Sequence, residues 1–193
     1  MPQNGSDPSH GPAASPAPTD GRVRPEGQRH KGFLLSEVAE LPTSLGEFKV
    51  RVIQDFDESD HVLVYKGDLE GREDVPVRIH SECLTSEVFH SLRCDCSQQL
   101  AAALENIERS GFGVLIYLRQ EGRGIGLLNK INAYALQDSG LDTVEANAEL
   151  GLPIDSRTYE MAVDCLDFLR VKSVCLMTNN PDKLEALRHH DVE

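Results

Sequence analysis

The chain has 193 residues, enough for one sizeable core plus tails and short for two full domains. Its formal charge of −13 and pI near 4.9 oppose a protein that grips nucleic acid through phosphates, although a small phosphorylated ligand needs only a few well-placed cations. No apolar run approaches the roughly 20 residues of a membrane span, the N-terminus lacks a basic segment followed by an apolar one, and the cysteine count is odd. These features point to a cytoplasmic protein in a reducing compartment, with neither nucleic-acid nor membrane partners.

Residues 1–31 are rich in Pro, Gly, Ser, His and Asp, with Val23 almost the only aliphatic side chain after Met1. Such a segment cannot bury enough apolar area to offset chain entropy, so a disordered tail is expected, followed by one catalytic domain over 32–193. Phe48–Ile53, Val62–Tyr65 and Val75–His80 read as strands, an antiparallel β unit that leads into a cysteine cluster. The period then switches: Leu100, Ala103, Leu104 and Ile107 share a helical face that Gly111 ends, and Val114–Leu118 is a buried strand. A helix from Ile125 to Asp138 is expected to turn Leu128, Ile131, Ala135 and Leu136 inward. A third helix, capped by Asp155 or Ser156, carries Met161, Ala162, Cys165, Leu166 and Leu169; Val171–Met177 is a strand, and Pro181 opens a last helix through Leu184 and Leu187. The alternation predicts a mixed α/β (α+β) single domain, its N-terminal antiparallel unit continuing into a mixed sheet flanked by helices.

Three cysteines fall within fourteen residues: Cys83, Cys94 and Cys96. Structural zinc takes four protein ligands, whereas catalytic zinc takes three and keeps a corner for water, so three thiols fit an open zinc site; buried or redox thiols fit the same spacing. Arg119-Gln120-Glu121-Gly122-Arg123-Gly124-Ile125-Gly126 joins a strand end to a helix start, where backbone N–H groups and arginines suit a polyphosphate, and a tight turn is the plainer alternative. Thr178-Asn179-Asn180-Pro181-Asp182-Lys183 is a second such loop, offering a hydroxyl and an ammonium. A third polar loop carries Glu145, Asn147, Asp155 and Arg157. Cys165 and Cys175 read as small buried hydrophobes. His30, His61, His189 and His190 fall in tail, turn or terminal contexts, and His80 suits a structural role beside the cluster.

Taken together, the motifs His80-Ser81-Glu82-Cys83-Leu84-Thr85, Ser91-Leu92-Arg93-Cys94-Asp95-Cys96, Gln120–Lys130, Ala133–Asp138, Asp142–Asn147 and Thr178-Asn179-Asn180-Pro181 resemble the GTP cyclohydrolase II family, in order and at its spacing from Phe33 to Leu187. The resemblance implies a hydrolase that opens the guanine imidazole ring of GTP, releases C8 as formate and pyrophosphate, and leaves 2,5-diamino-6-ribosylamino-4(3H)-pyrimidinone 5′-phosphate, the first step of riboflavin biosynthesis. It implies one zinc per subunit on Cys83, Cys94 and Cys96, magnesium on the triphosphate, and a homodimer. It further implies GTP contacts at Arg78, Ile79, His80, Ser81, Glu82, Gln99, Glu121, Gly122, Arg123, Thr143, Thr178 and Lys183. Asp155 matches a proton acceptor, Arg157 a nucleophile toward the α-phosphate, and Tyr134 a tyrosine near the opening ring.

Residue chemistry tempers two of these roles. A guanidinium holds its proton firmly, so Arg157 also reads as a phosphate clamp. Three thiolates leave a zinc site with net negative charge, which calls for a nearby cation, Arg93 or Arg78, while Glu82 is a candidate for moving protons. Ser97, Ser86 and His90 depart from the family pattern around the cysteines, and the chain stops at Glu193, before a final strand that family members carry. No synthase domain accompanies the motifs at this length. Two other readings fit the same residues: a paralogue that stops at the formamidopyrimidine product or serves another pathway, and a silent zinc- and nucleotide-binding homologue.

Overall fold

The computed structural model describes residues 29–30 and 33–188. Eight strands form one mixed sheet: β1 (Arg29–His30), β2 (Phe33–Leu35), β3 (Ala39–Thr43), β4 (Gly46–Gln54), β5 (Asp60–Lys66), β6 (Val75–Ser81), β7 (Gly113–Leu118) and β8 (Val174–Leu176). Their order is β1-β2-β4-β5-β7-β6-β8, and β3 also pairs with β4. The first five strands and the β5–β7 pair are antiparallel, whereas β6 lies parallel to both β7 and β8. The mixed α/β single domain expected from the pattern is therefore the one observed. β1 extends the sheet into the segment read as tail, pairing His30 with Phe33; residues 1–28, 31, 32, His189 and His190 lie outside the described residues.

Parallel neighbours need a crossover, supplied between β6 and β7 by α1 (Leu84–Glu87) and α2 (Cys96–Ser110). Helix α2 ends at Gly111, whose φ of 75° closes the last carbonyls as a left-handed cap. Its Ala103 and Ile107 bury Phe48 and Leu115 on one face of the sheet. The other face carries the larger core, where Ile53, Leu63, Val77, Ile79, Val114 and Ile116 meet Ala162, Val163 and Leu166 of α5 (Glu160–Leu169) and Leu187 of α6 (Pro181–Arg188). β7 is covered on both sides, which is why its run reads as continuously apolar rather than alternating.

Several local expectations differ from the structure. Helix α3 (Gly126–Asp138) buries Lys130 and Ala133, while Leu128 and Ile131 are 76% and 45% exposed and Ala135 also faces outward. Polar partners waiting beneath α3 decide its rotation in place of its apolar stripe. The segment read as a polar loop contains α4 (Thr143–Glu149), started by a capping box in which Asp142 accepts from Val144 and Glu145 and the Glu145 carboxylate accepts from the Asp142 N–H. Asp155 and Ser156 do not cap α5, whose N-cap is Tyr159. β8 spans only Val174–Leu176, and Cys175 within it is exposed because it lies on the sheet edge; Cys165 is buried as expected.

Ile116 is fully buried at the centre of the sheet. Ile116→Ala is expected to lower unfolding free energy by about 2–5 kcal/mol, through lost transfer energy and a residual cavity; urea unfolding followed by circular dichroism checks this.

Candidate active site

Because β6, β7 and β8 run the same way, their carboxyl ends release three loops at one edge of the sheet. From β6 come Ser81 to Cys83, from β7 Arg119 to Gly126, and from β8 Met177 to Asn180. This is where open α/β sheets bind ligands. The antiparallel β5 adds the β4–β5 turn to the same edge, since Val62 pairs with Tyr117. A cleft of about 400 Å³ lies there, lined by Ser59, Glu82, Arg119, Gln120, Glu121 and Gly124 among others.

The three sulfurs of Cys83, Cys94 and Cys96 lie within 4.8 Å of one another, and those of Cys83 and Cys94 are 3.5 Å apart. Two ligands of a tetrahedral zinc–thiolate centre are separated by about 3.8 Å, given Zn–S bonds of about 2.3 Å. The donor set therefore fits zinc. Burial and the neighbouring sulfurs push the Cys96 thiol well up, whereas at Cys94 hydrogen bonds from Cys96, Cys83 and Ser86 outweigh burial and hold the thiol down. Thiols this close cannot all ionise unless a cation joins them, a constraint that a bound metal ion would relieve.

The serines that depart from the family pattern help to build this loop. Ser86, fully buried, accepts the Ser97 backbone N–H at 3.0 Å, tying the start of α2 to α1. His90 takes a left-handed φ of 54° where the connecting loop reverses. Beneath Cys83, the Glu87 carboxylate gathers three donors: the Cys83 N–H at 3.0 Å, His80 Nε2 at 2.9 Å and the Tyr117 hydroxyl at 2.6 Å. His80 is 2% exposed and stacks on Tyr117, which matches the structural role expected of it.

Of the two cations anticipated at the sulfurs, Arg78 lies within electrostatic reach of Cys96, whereas Arg93 is engaged elsewhere. Arg93 lies over the Tyr134 ring at 4.5 Å and pairs with Asp138. Arg78 donates to Met177 O at 2.8 Å and to Gln99 Oε1 at 2.6 Å, and Gln99 in turn donates to Asp95. Lys130 reaches the cluster directly, with Nζ 3.2 Å from Cys83 Sγ and 2.7 Å from Glu121 Oε1. Glu121 also accepts from Leu84 N and Gly122 N, so its carboxylate is occupied by its own chain. Glu82, considered for proton transfer, pairs with Arg119 at 2.8 Å.

Nearby, Arg157 and Asp155 form a two-residue clamp. Arg157 Nε donates to both Asp155 oxygens at 2.9 and 3.2 Å, Nη2 donates to Oδ2, and the Arg157 backbone N–H adds a fourth bond. These bonds outweigh burial and raise the guanidinium further above its usual value, so Arg157 remains a cation. Ser156 N donates to Arg123 O at 2.9 Å, docking this segment on the glycine loop. A side chain at Gly124 would meet the Ser156 backbone at 2.9 Å, so the approach requires glycine.

Lys183 is 5% exposed and donates to Ile79 O at 2.9 Å. Burial, aided by Arg78 and Arg157, pushes its ammonium down to about 8 against the opposing pull of Cys96 and Asp155. Thr178 accepts the Asn180 N–H at 3.0 Å. Thus Arg78, Gln99, Asp155, Arg157, Lys183 and the cysteine cluster lie in one electrostatic neighbourhood, joined through Arg123 to the glycine loop. Among the described residues no hydrogen bond joins Thr143 to that neighbourhood; its hydroxyl accepts from Gln137 of α3.

Sequence reasoning missed Lys130, Glu87 and His61. His61, placed among turn residues, is buried in β5: its Nδ1 accepts the Arg119 N–H at 3.1 Å and its Nε2 meets Asp55 at 3.0 Å. No local pattern signals such a strut, because Arg119, the partner that ties it to the glycine loop, is 58 positions away.

Comparison with known proteins decides the family. A family model described as GTP cyclohydrolase II matches residues 35–193. The chain belongs to the GTP cyclohydrolase II family. It is 54% identical over 155 residues to GTP cyclohydrolase-2 of Picrophilus torridus, an alignment covering 80% of this chain and 81% of that one. It is 50% identical over 168 residues to the riboflavin biosynthesis protein RibBA of Bacillus cytotoxicus, covering 86% of this chain and 42% of the relative, and RibBA of Bacillus mycoides gives 51% with 86% and 43%. The chain thus spans most of the first relative and under half of the RibBA proteins. Among solved structures, RibBX, a two-domain 3,4-dihydroxy-2-butanone 4-phosphate synthase from A. baumannii, superposes with a TM-score of 0.50 at 17% identity, covering 85% of this chain and 40% of that one. That likeness concerns the fold alone. The family membership makes this chain a hydrolase. No helix among the described residues is long and apolar enough to cross a membrane.

Asp55 is strapped by the N–H groups of Asp57 and Ser59, both at 2.9 Å, and by His61. Burial raises its carboxyl, but the bonds from His61 and the backbone outweigh this and hold it below the usual range. Asp55→Ala should cost about 1–3 kcal/mol in urea unfolding at pH 7. A depressed carboxyl stabilises the fold above its unfolded pKa and ceases to as acid protonates it, so the difference from wild type should shrink below pH 4.

Proposed function

We propose that this chain catalyses the GTP cyclohydrolase II reaction. It would take GTP as its magnesium complex, open the imidazole ring, and release formate and pyrophosphate to leave 2,5-diamino-6-ribosylamino-4(3H)-pyrimidinone 5′-phosphate for riboflavin biosynthesis. The observation that carries this reading is the convergence of three sulfurs within 4.8 Å with the Arg78, Arg157 and Lys183 cations at one sheet edge. The relatives' names, GTP cyclohydrolase-2 and riboflavin biosynthesis protein, agree with it.

Cys83, Cys94 and Cys96 would hold one zinc ion per subunit, which supplies Lewis acidity toward water at the purine ring. The chain's own groups do the rest. Arg78, Lys183 and Arg157 present positive charge to the triphosphate, and Asp155 fixes the plane of the Arg157 guanidinium for bidentate contact. Arg157 thereby acts as a phosphate clamp, since its pairing with Asp155 favours the protonated state that a nucleophile would have to leave. Gly122 and Arg123 offer loop backbone, Thr178 a hydroxyl, and Tyr134, beneath Arg93, a ring surface beside the site. The exposed apolar positions of α3, Leu128 and Ile131, support the homodimer expected of the family. A reducing compartment such as the cytoplasm would keep all five thiols free.

Incubation of purified protein with GTP and magnesium should change the ultraviolet spectrum and release formate and pyrophosphate in equal amounts, with turnover abolished by a chelator and by Cys94→Ser. An unchanged GTP pool in zinc-loaded protein sinks the proposal, and a product retaining the formyl group restricts it to ring opening.

The state of Lys183 adds a pH dependence. Its ammonium is charged below about pH 8 and neutral above, so the KM for GTP should rise as pH passes through 8, displaced upward once phosphate is bound. Lys183→Met should weaken GTP binding about tenfold or more, in line with roughly 1.5–3 kcal/mol for a charge-assisted hydrogen bond, and remove that step. Steady-state kinetics across pH 6–9.5 read both.

A further inference from the structure

Lys130 is a buried cation that the proposed reaction does not yet use. Its side chain is enclosed between α3 and the β6 loop, at 9% exposure. An ammonium has three donors and no acceptor. One meets Glu121 Oε1 at 2.7 Å and another points at Cys83 Sγ at 3.2 Å, while the Tyr134 ring lies 5.8 Å from Nζ. Glu121 is itself immobilised by Leu84 N and Gly122 N, so the lysine head has little freedom to swing away from the sulfur.

Thiolate donation gives this contact a purpose. Three thiolates against one divalent cation leave a net charge of −1, and sulfur donation quenches the acidity of the metal. A charged N–H···S bond draws electron density back from one sulfur; because Glu121 balances the lysine charge, the effect is local to Cys83 and leaves the net charge of the site unchanged. The arrangement also links two loops: Leu84, next to Cys83, and Gly122, in the glycine loop, share the carboxylate that holds the lysine. Neither Arg93 nor Arg78 makes a hydrogen bond to a cysteine sulfur among the described residues.

We propose that Lys130, held by Glu121, is the positioning residue that sets the donor strength of Cys83 in the three-cysteine metal site and ties that site to the glycine loop. The inference rests on the metal reading given above.

Cobalt(II) serves as the probe, because thiolate-bound cobalt shows a sulfur-to-metal charge-transfer band. Metal-free protein is titrated with cobalt(II) in the wild type and in Lys130→Met/Glu121→Gln, a pair that removes both charges together and leaves no buried carboxylate unpaired. The expected result is a band displaced to longer wavelength and a cobalt affinity lower by about 10- to 100-fold, the range for loss of a group that supports a metal ligand. Lys130→Gln, which keeps a donor toward Glu121, gives the same comparison if the double variant does not fold. A folded variant with wild-type band position and affinity overturns the inference. A wild-type band that is absent, or unaltered by Cys94→Ser, is a separate result that overturns the metal reading beneath it.

Discussion

Everything at the active edge depends on β6 having parallel neighbours on both sides. A parallel register sends the carboxyl ends of β6, β7 and β8 in one direction, so loops separated by up to about a hundred residues meet without any long excursion. Arg78, donating from β6 to the carbonyl of Met177 past the end of β8, is a direct reading of that meeting. So is Lys183, whose ammonium rests on the carbonyl of Ile79. Had β6 been paired antiparallel, the cysteines would leave from the opposite edge to the glycine loop.

Once the loops are gathered, electrostatics divides the labour. The chain is acidic as a whole, yet Arg78, Arg157 and Lys183 lie close enough to act on one another, each cation supported differently. Arg157 is clamped by a carboxylate two residues away, Arg78 by a carbonyl and an amide, and Lys183 by a carbonyl under burial that weakens its hold on the proton. Lys130 differs from these in donating directly to a sulfur, that of Cys83. Negative net charge elsewhere does not oppose this, since over distances beyond about 8–10 Å surface charges are screened by salt, whereas buried neighbours are not.

Legibility in sequence followed the range of the interactions concerned. Strands β4 to β7 and helix α2 were readable because alternation and helical period are local, and β7's unbroken apolar run reported burial on both faces. The cysteine cluster and the loops at strand ends were readable because their spacing is short. The rotation of α3 was not: its apolar residues Leu128 and Ile131 invited an inward assignment, while Lys130 is drawn under the helix by Glu121 and Cys83, partners nine and forty-seven positions away. The capping box of Asp142 and Glu145 was locally visible, but its helix has only seven residues and a polar composition that reads as a loop. His61 and Glu87 combine bonds to near neighbours, Asp55 and Cys83, with distant ones to Arg119 and Tyr117, and no spacing motif marks that combination.

The three converging limbs are not equally secured. Those after β6 and β7 spring from interior strands, whereas the one bearing Thr178 and Lys183 springs from a three-residue border strand with a neighbour on one side only. Opening of a border strand breaks few bonds, so this limb belongs to the least protected part of the sheet. The limb with Thr178 and Lys183 is consequently the adaptable part of this loop cluster, while those that carry Cys83 and the glycine loop are anchored by strands paired on both sides.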